Sequence, residues 1–132
     1  MTGVLVWTGV AVLGGLGAVC RFLVDSSVAR RVARGFPFGT LTVNLSGAVA
    51  LGLITGLALS HTAALLVGTA FVGSYTTFST WMLETERLAE ERQHRAALAN
   101  IVVSVVCGLA AAAAGQWLAE TWIAQNWLAG HW

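Results

Sequence analysis

The densest group of hydrogen-bonding side chains in the sequence is Gly73-Ser74-Tyr75-Thr76-Thr77-Phe78-Ser79-Thr80-Trp81, with six hydroxyls in nine residues. Hydroxyls give donors without charge, and backbone that leaves a helix adds free N–H and carbonyl groups. Together such groups replace the water around an ion. An isolated serine or threonine in an apolar helix usually bonds back to the preceding turn and signifies little. Six clustered hydroxyls instead point to a cavity wall or a helix contact. Asn44, with two N–H donors and no charge, is the second candidate. Its structural alternative is an interhelical hydrogen bond of about 1 kcal/mol. Catalytic chemistry is not expected. His61, His94 and His131 stand alone, and Cys20 and Cys107 lie far apart as small packing residues. No Ser–His or Cys–His pairing, metal-ligand spacing or phosphate loop appears.

These residues sit in a chain unsuited to water. Its 132 residues are 57% hydrophobic and 10% charged, with mean hydropathy +0.76. A soluble domain carries roughly 25% charged residues. Residues 1–20, 35–83 and 96–119 contain no Asp, Glu, Lys or Arg. As one helix, 35–83 would run to about 74 Å against a hydrocarbon core of roughly 30 Å, so it must fold back, with Ser60-His61-Thr62 as the natural turn. Four spans are therefore predicted, at about 3–24, 39–59, 63–83 and 97–119, making an all-α integral membrane protein of one domain over 1–132. A membrane barrel would alternate apolar and polar residues, and these segments do not. The first span is not a cleavable signal, since no basic residue precedes it.

Between spans one and two, Val28 and Val32 with Arg30, Arg31 and Arg34 fit either a short interfacial helix or a solvated basic loop. Glu84, Glu86, Glu90 and Glu91 with Arg87, Arg92 and Arg95 extend span three as a helix into water, with i,i+4 pairs such as Glu91 and Arg95. Trp117, Trp122, Trp127 and Trp132 read as an interfacial anchor. Thr40, Asn44, Ala48, Gly52 and Gly56 recur every four residues on span two. Asn100, Ser104, Gly108 and Ala112 do so on span four, and Gly14 and Ala18 make one such step on span one. Each is a stripe that lets helices approach closely.

Three elements carry a family resemblance. Gly14-Gly15-Leu16-Gly17-Ala18-Val19-Cys20-Arg21-Phe22 resembles a G-G-x-x-G-A-x-x-R-[YF] element. Pro37-Phe38-Gly39-Thr40-Leu41-Thr42-Val43-Asn44-Leu45-Ser46-Gly47 resembles P-x-G-T-L-x-V-N-x-x-G, and Thr76-Thr77-Phe78-Ser79-Thr80 resembles T-T-F-S-T. In this order, over four spans, they resemble the Fluc/CrcB family of bacterial fluoride channels. The resemblance implies a passive fluoride-selective channel in the bacterial cytoplasmic (inner) membrane, exporting F⁻ that entered as HF. It implies an antiparallel dimer with two pores and a break in the third helix. A structural sodium ion (Na⁺) would lie at the interface, on the backbone carbonyls of Gly73 and Thr76. The family's pore phenylalanines fall on Phe78 and Trp81. Trp81 departs from the usual second phenylalanine, and Gly73-Ser74 departs from the usual Gly-Gly.

The chemistry of the residues agrees. Asn44, Thr77, Ser79, Thr80 and Ser104 supply donors, and Phe78 offers the positive edge of its ring. Arg21 either draws the anion to the pore mouth or snorkels to the interface. Two other readings stay open: a small four-helix exporter of drug-like cations, which would need a membrane carboxylate that the spans lack, and a non-transporting assembly subunit.

Orientation gives the first prediction. With four spans, Arg21, Arg30, Arg31, Arg34, Arg87, Arg92 and Arg95 all fall on one side or at its membrane edge, and no arginine or lysine falls on the other. Basic residues in short loops favour the cytoplasm. The subunit is expected to insert mainly with both termini outside. Its antiparallel partner is then either an inverted copy, giving a homodimer, or an oppositely oriented paralogue. Cysteine labelling in intact cells, at a tail position and at a position within 25–38, checks this; equal labelling of the two would establish dual topology instead.

Overall fold

The computed structural model describes residues 3–32 and 35–129, with side chains as far as 126. Arg34, His131, Trp132 and the side chain of Trp127 fall outside what is described. The described residues are helical apart from short connections. Helix α1 is Gly3–Arg31 and α2 is Phe38–Gly56. Helix α3 covers 61–75, as one turn at His61–Ala63, wider i→i+5 turns over Ala64–Val72, and a last turn at Gly73–Tyr75. Helix α4 is Phe78–Glu90, and α5 is His94–Ala129.

Three of these helices are long and apolar enough to cross a membrane: Gly3–Arg31, Phe38–Gly56 and the His94–Asn126 portion of α5. The chain is thus a multi-pass membrane protein. The third expected span, 63–83, is not one helix but is shared between α3 and the start of α4. At Thr76 and Thr77 the backbone is extended, with ψ of 160° and 123°.

Helix boundaries follow local chemistry. Ser60 caps α3 by accepting the Ala63 N–H at 3.4 Å, and Thr77 caps α4 by accepting the Thr80 N–H at 3.2 Å;. The reversal before α3 lies slightly earlier than expected, with Ala58 at φ 47°. No separate interfacial helix begins near Asp25, because α1 runs on to Arg31. At the far loop, α4 ends at Glu90 and Arg92 adopts φ 59°. That turn takes Arg95 off the helix carrying Glu91, so Glu91 pairs with Arg87 at 3.2 Å instead. The pair is exposed and adds only tenths of a kcal/mol.

Helix α2 makes its largest contact with α5, while α1 packs on α3 and α2, and α4 on α5. Small residues set the α2–α5 distance. A Cβ on Gly52 would meet the Ala112 carbonyl, and one on Gly115 would meet the Val49 carbonyl. Gly17 plays the same part between α1 and Phe71. The expected stripes therefore meet at Gly52, Gly56 and Ala112, whereas Gly108 has nothing within 4 Å. The buried core is made of small or medium side chains such as Val43, Ala70, Val72 and Leu88, with Thr40, Thr77, Thr85 and Asn100 as its polar members. Only Gly17 of α1 is buried, and Val4, Trp7, Val12, Val19 and Phe22 are exposed. Cys20 is half-buried, whereas Cys107 faces outward on α5. In water such an apolar surface would aggregate; the bilayer covers it.

Gly52→Val forces a Cβ into the backbone of α5 at Ala112 and is expected to destabilise the protein by about 1–3 kcal/mol;. Gly108→Ala is expected to leave stability unchanged. Thermal unfolding in detergent compares the two, and equal losses would show that the α2–α5 approach is not the cause.

Candidate functional site

The site is organised by two hydrogen bonds between Asn44 on α2 and the backbone of Thr77. Thr77 N–H donates to Asn44 Oδ1 at 2.8 Å, and Asn44 Nδ2 donates to the Thr77 carbonyl at 2.9 Å. In an uninterrupted helix the Thr77 N–H would bond to the Gly73 carbonyl. The asparagine takes that donor away. The Thr77 side chain then takes another, because the Thr80 N–H that would reach the Thr76 carbonyl caps on Thr77 Oγ1. Thr77 Oγ1 also donates to Thr80 Oγ1 at 3.0 Å and lies 3.4 Å from Ser79 Oγ. Thr77 is buried, while Ser79 and Phe78 are exposed, Phe78 at 70%.

Two cavities share Thr77. One, of about 340 Å³, is lined by Asn44, Gly73, Thr76, Thr77, Phe78 and Trp81 together with mostly small residues of α2 and α3. The other, of about 160 Å³, is lined by Arg21, Asp25, Thr40, Thr77 and Thr80. The fold thus brings the expected residues from three distant stretches to either side of one threonine. Phe78 and Trp81 meet edge to face, with centroids 5.6 Å apart and planes at 74°. The Trp81 indole N–H donates to the Asn100 carbonyl of α5 at 3.2 Å. Ser104 lines neither of these cavities; its Oγ is buried without a hydrogen-bond partner.

Thr40, expected as a polar member of the span-two stripe in a helix contact or a pore, lies beside Glu84, which was not singled out as a site residue. Thr40 is 2% exposed, and its Oγ1 and Glu84 Oε2 are buried oxygens that close no hydrogen bond. Glu84 lies just beyond residues 63–83, in the wall of a larger hollow of about 390 Å³ that also includes Asp25, Arg87 and Glu91. Burial pushes its carboxyl above the usual range; the neighbouring Thr40 hydroxyl opposes this, Asp25 adds to it and Arg87 opposes it;. Thr85 was missed as well, and Asn100 was expected only as a polar member of its stripe. Asn100 Nδ2 donates to Thr85 Oγ1 at 2.9 Å, and both residues are buried. The available signal was a threonine one turn after Trp81 and an asparagine one turn before Ser104.

Comparison with known proteins places the chain in a family. The family model described as "CrcB-like protein, Camphor Resistance (CrcB)" matches residues 8–116, which include all the motifs above. The chain belongs to the CrcB family. Among curated CrcB relatives, "Fluoride-specific ion channel FluC 2" of Mycolicibacterium paratuberculosis is 72% identical over 120 residues, covering 91% of this chain and 98% of the relative. The protein of that name from Mycobacterium tuberculosis is 68% identical, covering 89% and 93%. "Fluoride-specific ion channel FluC 1" of Leifsonia xyli is 46% identical, covering 86% of each chain.

The carbonyls that a sodium ion would need in this CrcB protein are chemically suited to one. Gly73 and Thr76 have each lost the helical N–H donor that would have occupied their oxygens, and both residues border the 340 Å³ cavity. Neutral carbonyl oxygens of this kind are hard ligands for a small cation.

Asn44→Asp keeps the acceptor for the Thr77 N–H but sets a carboxylate oxygen against the Thr77 carbonyl. It also puts a negative charge beside Phe78. Fluoride efflux from liposomes is expected to fall at least tenfold while the protein still elutes as a folded assembly. Efflux near that of the unsubstituted protein would remove Asn44 from the pathway.

Proposed function

We propose that this CrcB protein is a passive, fluoride-selective ion channel that releases F⁻ from the bacterial cytoplasm and so relieves fluoride toxicity. The observation that carries the reading is the site around Thr77. Uncharged N–H and O–H donors and a pair of aromatic edges lie within a membrane domain whose relatives are named fluoride-specific channels. Fluoride is small and strongly hydrated, so its water must be replaced by dense donors that do not bind it too tightly to leave. Asn44, Ser79, Thr80 and Ser104 are assigned as those donors, with Thr77, whose own proton goes to Thr80 Oγ1, as the residue that holds them in place;. The ring edges of Phe78 and Trp81 face the anion, and Arg21 draws it to the entrance. The cation-exporter and assembly-subunit readings find no support in the relatives' names.

The same reading makes the segment 63–83 a fourth, broken crossing in the inner membrane. It makes the active unit an antiparallel dimer, with either an inverted copy or an oppositely oriented paralogue as partner. The exposed Phe78 and the cavity beside Gly73 form a face that such a partner would cover. The Gly73 and Thr76 carbonyls would hold the sodium ion, which would supply a fixed positive charge there.

Purified protein in liposomes loaded with fluoride or with chloride tests the function. Fluoride is expected to leave quickly down its gradient once a potassium ionophore balances the charge, without response to a pH gradient, and chloride is expected to stay. Equal release of both ions would defeat fluoride selectivity, and dependence on a proton gradient would defeat a passive channel.

A further inference from the structure

Eight serine and threonine hydroxyls in this protein share one habit, while others, such as that of Thr40 on α2, have no partner. Thr8, Ser27, Thr42, Ser46, Thr55, Thr76, Thr85 and Thr121 all donate to the carbonyl four residues earlier. Ser104 sits in the middle of α5 and does not; its Oγ is buried without a partner. The carbonyl that it would use belongs to Asn100. That oxygen already accepts the Trp81 indole N–H at 3.2 Å, and within α5 it also serves the Ser104 backbone N–H. A carbonyl has two lone pairs, and both are engaged.

We propose that Trp81 is a positioning residue for Ser104: by occupying the Asn100 carbonyl, its indole N–H releases the Ser104 hydroxyl to donate to the permeating anion. The indole is held in place by a closed ring of bonds. Asn100 Nδ2 donates to Thr85 Oγ1 at 2.9 Å, and Thr85 Oγ1 donates to the Trp81 carbonyl at 2.8 Å. Asn100 is 1% exposed and Thr85 9%, so water does not compete for these bonds. Ser104 itself is only half-buried. With no hydrogen bond to hold it, the hydroxyl is free to turn about the Cα–Cβ bond. Phenylalanine at position 81 has a positive edge but no N–H. With it, the Asn100 carbonyl is free and the Ser104 hydroxyl returns to the habit of the other eight. The exchange of ring type at position 81 therefore alters the donor set as well as the ring.

This inference rests on the channel reading, and a double-mutant cycle separates the two. Fluoride efflux is measured for the unsubstituted protein, Ser104→Ala, Trp81→Phe and the double variant, with size-exclusion elution as the check on assembly. Ser104→Ala is expected to slow efflux about tenfold in the Trp81 background and less than twofold once Trp81→Phe is present. Equal losses in both backgrounds, in proteins that elute normally, overturn the coupling and leave the channel reading intact. Absence of fluoride efflux from the unsubstituted protein overturns the channel reading, and this inference with it. Should Trp81→Phe assemble poorly, Thr85→Val loosens the same ring of bonds from its other side. It is then expected to shrink the Ser104→Ala effect at least threefold, and an unchanged effect overturns the coupling.

Discussion

The paired hydrogen bonds between the Asn44 amide and the Thr77 backbone are the constraint on which the rest depends. One primary amide presents a donor and an acceptor to the two polar groups of one residue, as a neighbouring strand would. A buried backbone group without a partner costs about 1–3 kcal/mol, more in lipid than in water. An interruption in a membrane helix therefore persists only if something else satisfies the groups that it releases. Asn44 satisfies two of them, and Thr77 Oγ1 satisfies a third as the cap of α4. Gly73 and Thr76, whose carbonyls are left over, line a cavity.

The amide can hold Thr77 only because its own helix is fixed. The glycine contacts between α2 and α5 bring the two backbones too close to slide, so α2 and α5 act as a frame. Helix α3 is attached to that frame through α1 and α2, while α4 is attached through α5, where Trp81, Thr85 and Asn100 close their ring, and at its cap through Asn44. The two halves of the interrupted segment are thus moored to different helices. They meet at a residue whose main-chain groups are spoken for by a side chain.

Much of this was legible in the sequence, for reasons that can be named. Long uncharged runs disclose membrane helices because lipid excludes charge, and the hydroxyl cluster marked where polar groups would gather. Small residues four apart marked Gly52 and Gly56 as positions of close helix approach, although not α5 as the helix that they meet. Other features depend on partners distant in sequence. Nothing in Asn44 says that its amide will take the Thr77 N–H rather than face an open pore. The indole N–H of Trp81 acquires a meaning only when α5 brings the Asn100 carbonyl to it. The Glu91 pairing went to Arg87 because the chain turned at Arg92, a local choice that charge spacing does not encode.

The wide turns over Ala64–Val72 have a bearing on how the chain tolerates change. An i→i+5 turn accommodates more chain than an i→i+4 turn of the same helix. This stretch therefore stores surplus length just ahead of Gly73. A sequence one residue shorter here can tighten to ordinary helical turns and still deliver Gly73, Thr76 and Thr77 to Asn44. The loss of a residue between Gly73 and Thr77 has no such reserve. The two sides of Gly73 thus differ in their freedom to vary in length, and the boundary between them is the point where the helix stops being a spacer and becomes the site.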